Sequence, residues 1–218
     1  MIKIYTILVL LLTMTLFLIG FTNKPKTEFT DPRDNQTYKI VQIGNKMWLK
    51  ENLNFRTNTS ICYDSLNANC DKYGRLYSYS EAQRACPEFW RLPTQQDVDE
   101  LHERMGSNKL FKIAAPDEWE IKKAKKIKNE LGLSILPAGR IDSLLFYSKE
   151  ENKWIDTVAF HQLGIATSFW INAIETSEGP LHWHVGEPIG PRESGLHRHP
   201  IFPDIHKFSV RCVCEVEK

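Results

Sequence analysis

Histidine is the residue type whose placement most invites chemistry in this chain. There are seven, and five fall between His182 and His206. His182 and His184 lie two apart, as do His197 and His199, with His206 close behind. In an extended segment, residues two apart point to the same side. Two such pairs could converge four imidazoles on Zn²⁺ or Cu²⁺, ions that suit nitrogen donors. Glu187 and Asp204 could add oxygen ligands. The opposing reading is a polar surface loop that holds no ion.

Cysteine is the second set: Cys62, Cys70, Cys86, Cys212 and Cys214. In an oxidising compartment they should pair. Cys62 and Cys70 are close enough to close a small loop. Cys86 and Cys212 would tie the middle of the domain to its last strand, worth about 4–5 kcal/mol in the chain-entropy account. Five is an odd number, so Cys214 is left over or bonds another chain. Metal ligation by these cysteines is the weaker reading, because no C-x-x-C spacing is present.

Trp183, Glu187 and Arg192 are the candidate ligand contacts in the same histidine-rich region. An exposed Trp183 could stack on a sugar, although buried packing is the commoner task of tryptophan. Spacing alone supports no Ser-His-Asp arrangement, no phosphate-cradling glycine loop and no carboxylate pair.

Some set of elements must hold these residues in place. Hydrophobic residues make up 42% and aromatics 11%, enough for a core and against wholesale disorder. A net charge of +1 supplies no field that would draw nucleic acid. Residues 4–21 are apolar without a charge, with Lys3 before them and Lys24 and Lys26 after. That pattern makes residues 1–22 a signal peptide or an N-terminal membrane anchor. Gly20 and Thr22 are the best small residues for a cleavage site. No cysteine lies in or just after the run, which argues against a lipid-modified N-terminus. The expectation is a secreted, periplasmic or surface-held protein that meets the membrane only through this segment. Residues 23–32 read as a linker and 33–218 as one domain.

Within that domain, residues 38–43 alternate as a strand, Gly44-Asn45 turns, and 46–49 return, with Trp48 in the core. Residues 54–71, rich in Asn, Thr and Ser, read as a loop. A short strand is expected at 75–79. Ser80 and Gln83 suggest a capping box for a helix that Pro87 ends. Thr94 is a natural N-cap for a second helix, with Asp97 three residues on, a buried face of Val98, Leu101 and Met105, and a stop at Gly106. Residues 117–131 carry Lys122, Lys123, Lys125, Lys126 and Lys128. Their Glu118–Lys122 and Lys126–Glu130 spacings predict a helix with a solvated basic face. Strands are expected at 135–139, 146–147, 166–171 and 208–216. Residues 172–207 read as mostly loop. Without regular β-α alternation, the class is α+β.

Several segments in order carry a family resemblance. They are Asp31-Pro32-Arg33-Asp34, Ile43-Gly44-Asn45-Lys46-Met47-Trp48, Glu51-Asn52-Leu53-Asn54, Cys62-Tyr63-Asp64 and Tyr73-Gly74-Arg75-Leu76-Tyr77. Ala85-Cys86-Pro87, Trp90-Arg91-Leu92-Pro93-Thr94, Leu136-Pro137-Ala138-Gly139, Phe169-Trp170 and Phe208-Ser209-Val210-Arg211-Cys212-Val213 complete the set. Together they resemble the Fibrobacter succinogenes major paralogous domain, found in secreted proteins of Bacteroidetes and related bacteria.

The resemblance implies a C-type lectin-like fold, akin also to formylglycine-generating enzymes. Such a unit is α+β, with two helices, a twisted antiparallel sheet and a long irregular loop region. It implies a non-enzymatic binding module at the cell surface, taking a glycan or protein partner through residues 172–207. A metal-binding protein or metalloenzyme using the same histidines is the alternative. Sugar-binding C-type lectins hold Ca²⁺ through a Glu-Pro-Asn stretch. Here Ile189 follows Glu187-Pro188, so one oxygen ligand is missing. Formylglycine-generating enzymes bind copper through a cysteine pair, but Cys212 and Cys214 are only two apart, the wrong spacing for that site.

Overall fold

The computed structural model describes residues 26–106, 109–148, 150–172, 179–186, 195–198 and 205–216. Its first sheet grows from the expected hairpin. β1 (Glu28–Thr30) pairs antiparallel with β2 (Thr37–Ile43), which pairs with β3 (Lys46–Leu49) across Gly44 at φ +66°. Trp48 is buried, as its place in the alternation requires. β1 lies in the stretch read as linker. Asp31, just beyond it, is fully buried and accepts from the Arg33 guanidinium at 2.7 Å. Two prolines and a polar composition hid a three-residue edge strand.

The second sheet holds β4 (Leu76–Tyr77), β5 (Ala138–Ser148), β6 (Lys153–Leu163), β7 (Ala166–Trp170), β8 (Leu181–Gly186), β9 (Gly195–Arg198) and β10 (Phe208–Ser209). β7 lies at its centre. On one edge β7 meets β5 and β10 in parallel; on the other it meets β8 antiparallel, with β9 beyond. β6 flanks β5 in a long hairpin, and β4 flanks β10. β11 (Val213–Glu215) leaves this sheet and pairs with β3 in the first.

The expected two-helix, C-type lectin-like α+β unit is therefore not what forms. Strand accounts for 36% and helix for 20%, and the eleven described strands build two curled sheets. The helices are short: α1 (Asn67–Tyr73), α2 (Tyr79–Ala82), α3 (Gln95–Met105) and α4 (Lys109–Ile113). α1 begins inside the expected 54–71 loop and runs two residues past it. α2 is capped at Ser78 rather than Ser80, without a side-chain cap bond.

The largest departure is at 117–131, where only a 3₁₀ turn, Ala124–Lys126, is helical. The neighbouring segment takes its donors. The amides of Lys128 and Asn129 both reach Phe111 O, and that of Leu131 reaches Lys112 O. A helix would have needed those amides for its own ladder. The expected 208–216 strand is split into β10 and β11 because residues 210–212 cross between sheets. There, Val210 O accepts from Leu53 N and Cys212 O from Leu49 N.

α3 follows its sequence signals closely. Thr94 Oγ1 accepts from Asp97 N at 3.2 Å, and Asp97 Oδ2 accepts from Thr94 N at 2.7 Å, a reciprocal capping box. Val98, Leu101 and Met105 are buried against Trp48, Phe169 and Trp183. Asp97 also receives Arg91 at 2.5 Å and Lys46 at 3.4 Å, and both cations reach Glu215. These ion pairs tie the start of α3 to β3 and β11. A second core cluster packs Tyr38, Leu53, Tyr77, Trp170 and Phe208, with Trp170 stacked on Phe208 at 4.2 Å.

Two disulfides form as read from the sequence, Cys62–Cys70 and Cys86–Cys212; Cys214 is outside both. Beside the second, Arg211 is wholly buried. Its guanidinium donates to Asn52 Oδ1, to Lys50 O at 2.6 Å and to Leu133 O at 2.7 Å. Burial lowers its pKa to about 9, since the charged form loses water.

Candidate functional site: a buried histidine, arginine and aspartate array

The register of the second sheet decides where the histidines go. β8 runs Leu181, His182, Trp183, His184, Val185, and every one of these residues is buried. His182 lies opposite Trp170 and His184 opposite Ser168 on β7; His182 lies opposite His197 on β9. Opposed residues share a face. Ser168, Trp170, His182, His184 and His197 therefore line one side of the sheet. Leu181, Trp183 and Val185 line the other, inside the core. Within the expected 172–207 loop, residues 181–186 and 195–198 are thus strand. β8 escaped notice because imidazoles occupy the positions where a half-buried strand shows plainly polar residues.

Trp183 cannot serve as an exposed sugar platform. It is 1% exposed, 5.4 Å from the Phe169 ring and edge-on to His102 of α3 at 5.9 Å. Glu187, Arg192, His199 and Asp204 lie outside the described residues.

β5 supplies residues that the sequence reading did not single out. Arg140 and Asp142 are two apart on a strand, hence on one face, and both are buried. Arg140 donates to Ser168 Oγ at 3.0 Å and to His184 Nδ1 at 3.1 Å. Its Nε forms an ion pair with Asp142 Oδ2 at 3.1 Å. His206 approaches the other oxygen, Asp142 Oδ1, at 3.6 Å. Arg140 also lies above the Phe208 ring, 5.9 Å from its centroid. The available signal was Arg140-Ile141-Asp142, opposite charges flanking an apolar residue, with Ala138-Gly139 before and Ser143-Leu144-Leu145 after.

A serine, a histidine and an aspartate do meet here, but not as a relay. Ser143 Oγ lies 3.0 Å from His206 Nε2, and Asp142 approaches that same nitrogen. A hydrolytic triad needs its serine and its carboxylate on opposite ring nitrogens. In this arrangement the carboxylate cannot orient the ring for Ser143.

The geometry also bears on Zn²⁺ or Cu²⁺. The His197 ring lies 5.8 Å from His182 and 6.1 Å from His184, so three imidazoles do gather. A guanidinium has only donors, so Nδ1 of His184 must offer a lone pair to Arg140 and the proton sits on Nε2. A metal-bound histidine instead donates its second ring N–H to an acceptor. Arg140 is the wrong neighbour for that. Among the described residues, no group of three or more His, Cys, Asp or Glu side chains is placed to hold one ion. Of the four histidines expected to converge, His182, His184 and His197 are described and His199 lies outside the described residues.

What the array does is join strands. Arg140 links β5, β7 and β8 through side chains, and His206 ties the segment before β10 to the same carboxylate. The array fixes the strands from which residues 187–194 and 199–204 emerge.

Residues 41–214 match the model of the Fibrobacter succinogenes major domain, a span that covers more than half of the chain. No curated protein and no solved structure matches. The matched span takes in the end of β2, all of β3, both disulfides, α3 and every strand of the second sheet. This chain is a member of the Fibrobacter succinogenes major domain family.

Proposed function

We propose that this chain is an exported, non-enzymatic binding module that takes an extracellular glycan or protein partner through the region around β8 and β9. The observation that carries this reading is the burial of β8 along its whole length. A rigid strand, locked by Trp183 on one side and the Arg140 array on the other, is a fit support for variable flanking segments. β9 adds to it. Among the described residues β9 pairs with β8 alone, and Gly195, Leu196 and His197 are half-buried. Two disulfides favour an oxidising compartment, in line with the apolar leader at residues 4–21.

The test is a glycan array and a cross-linking capture of surface proteins with the full chain. His197→Ala, Glu187→Ala and Arg192→Ala should weaken the captured signal while thermal unfolding stays unchanged. Binding that none of the three substitutions alters would defeat the reading.

A further inference from the structure

Phe89 breaks two rules at once. It is 86% exposed, and its φ is +66°. Glycine enters that left-handed region freely, whereas a bulky side chain is strained there. The backbone needs the conformation, because Trp90 N closes a turn onto Pro87 O at 3.0 Å. Glycine would serve the turn, yet an aromatic ring stands there facing water.

Its surroundings suggest what the ring is for. Trp90, the next residue, packs on Phe29 of β1 with ring centroids 5.0 Å apart, and both are half-buried. The Lys26 ammonium lies 5.8 Å above the Phe29 ring. A bare phenylalanine, a partly wet tryptophan and a lysine are the composition of a membrane-interface anchor. The chain also brings lipid close. Lys26 follows the apolar 4–21 run by five residues, and an extended chain covers at most about 18 Å in that length. Glu28 and Glu88 are exposed nearby, so attraction to anionic headgroups is not the driving force.

We infer that the Phe89 tip seats in the interfacial layer of the bilayer that the N-terminal segment enters, with Trp90, Phe29 and Lys26 at headgroup level. This rests on residues 4–21 being kept as an anchor. It goes beyond the binding reading by naming the face of the domain that meets lipid.

The test uses the full chain reconstituted in phosphatidylcholine liposomes. An environment-sensitive dye is placed at Phe89→Cys in a Cys214→Ser background, and in a second sample at Lys125→Cys, on the lysine-rich turn packed against α4. The dye at position 89 should be blue-shifted and quenched several-fold more by doxyl-labelled lipid than the dye at position 125. Equal quenching in a chain that floats with the liposomes overturns the inference and points to a protein partner or bare solvent. A chain that does not float shows that the anchor reading has failed, and the inference falls with it. Phe89→Gly removes the backbone strain and so should fold. It should reduce the quenching of tryptophan emission by brominated lipid; unchanged quenching overturns the inference independently of any dye.

Discussion

Arg140 donates to Nδ1 of His184 across 3.1 Å, and both side chains are buried. The contact fixes the imidazole as neutral, with its proton on Nε2, because a protonated ring would set two donors against each other. At pH 7, nitrogen NMR of His184 should show that tautomer. A spectrum with Nδ1 protonated would refute the assignment.

The same array should dominate local stability. Arg140→Leu leaves Asp142 buried without its main partner and should cost about 3–5 kcal/mol. A urea midpoint close to that of the unsubstituted chain would show that the pair adds nothing. Replacing Arg140 and Asp142 together by apolar residues should restore much of the loss, since no lone charge remains.

Asn52 is the side-chain acceptor for the wholly buried Arg211, and its own amide donates to Tyr73 O at 2.8 Å. Asn52→Ala removes the bonds to Arg211 and Tyr73 and should cost about 2–4 kcal/mol, the range for leaving buried polar groups unsatisfied next to a charge. Denaturant unfolding measures it. A loss within the error of the method would mean that the backbone carbonyls of Lys50 and Leu133 suffice for Arg211.

Acid should weaken the fold in two separate windows. Burial, aided by the positive charge of Lys109, lowers the His102 pKa to about 4. The unfolded ring protonates near 6.5. Between those values the unfolded state takes up a proton that the folded state does not, so stability falls from pH 6.5 to 4 and then levels. His102→Gln should flatten the melting temperature over that window. Asp97 behaves differently. Burial alone would raise its carboxyl, but the hydrogen bonds from Arg91 and Thr94 outweigh burial and hold it below the ordinary value. Its contribution is present above the ordinary carboxylate range and is lost as pH falls through the folded value. Arg91→Ala should move that lower loss to higher pH. A melting curve that keeps its shape in both variants would defeat this account.

The two disulfides should differ in worth. Cys86–Cys212 joins residues 126 apart and Cys62–Cys70 residues 8 apart. Loop entropy gives about 5 and about 2.5 kcal/mol respectively. Cys86→Ser with Cys212→Ser should therefore lower the unfolding free energy about twice as much as Cys62→Ser with Cys70→Ser. The reverse order would show that the enthalpy of packing around the small loop matters more.

Some of the fold was legible because its causes are local. The β2–β3 hairpin is written in an alternation around Gly44-Asn45, and α3 in Thr94, Asp97 and the Val98, Leu101, Met105 stripe. The cysteine pairs followed from parity and distance along the chain. The lysine-rich run was misread because its helix signals were also local, while the amides that would make the helix bond to Phe111 O and Lys112 O instead.

The histidine cluster shows the same division. Spacing alone established that His182 and His184 share a side of whatever extended segment carries them. It said nothing of what faces them. That depends on which strand lies alongside, and the answer was Ser168 of β7 and, through it, Arg140 of β5. By itself the sequence determined the β2–β3 hairpin, the start and buried face of α3, and which family the chain resembles, because those rest on neighbours along the chain. Only the tertiary structure decided that Trp183 is core, that Arg140 meets Nδ1 of His184, and that two curled sheets replace a two-helix unit. Register between distant strands is set by the combined packing of both faces, and no single segment encodes it.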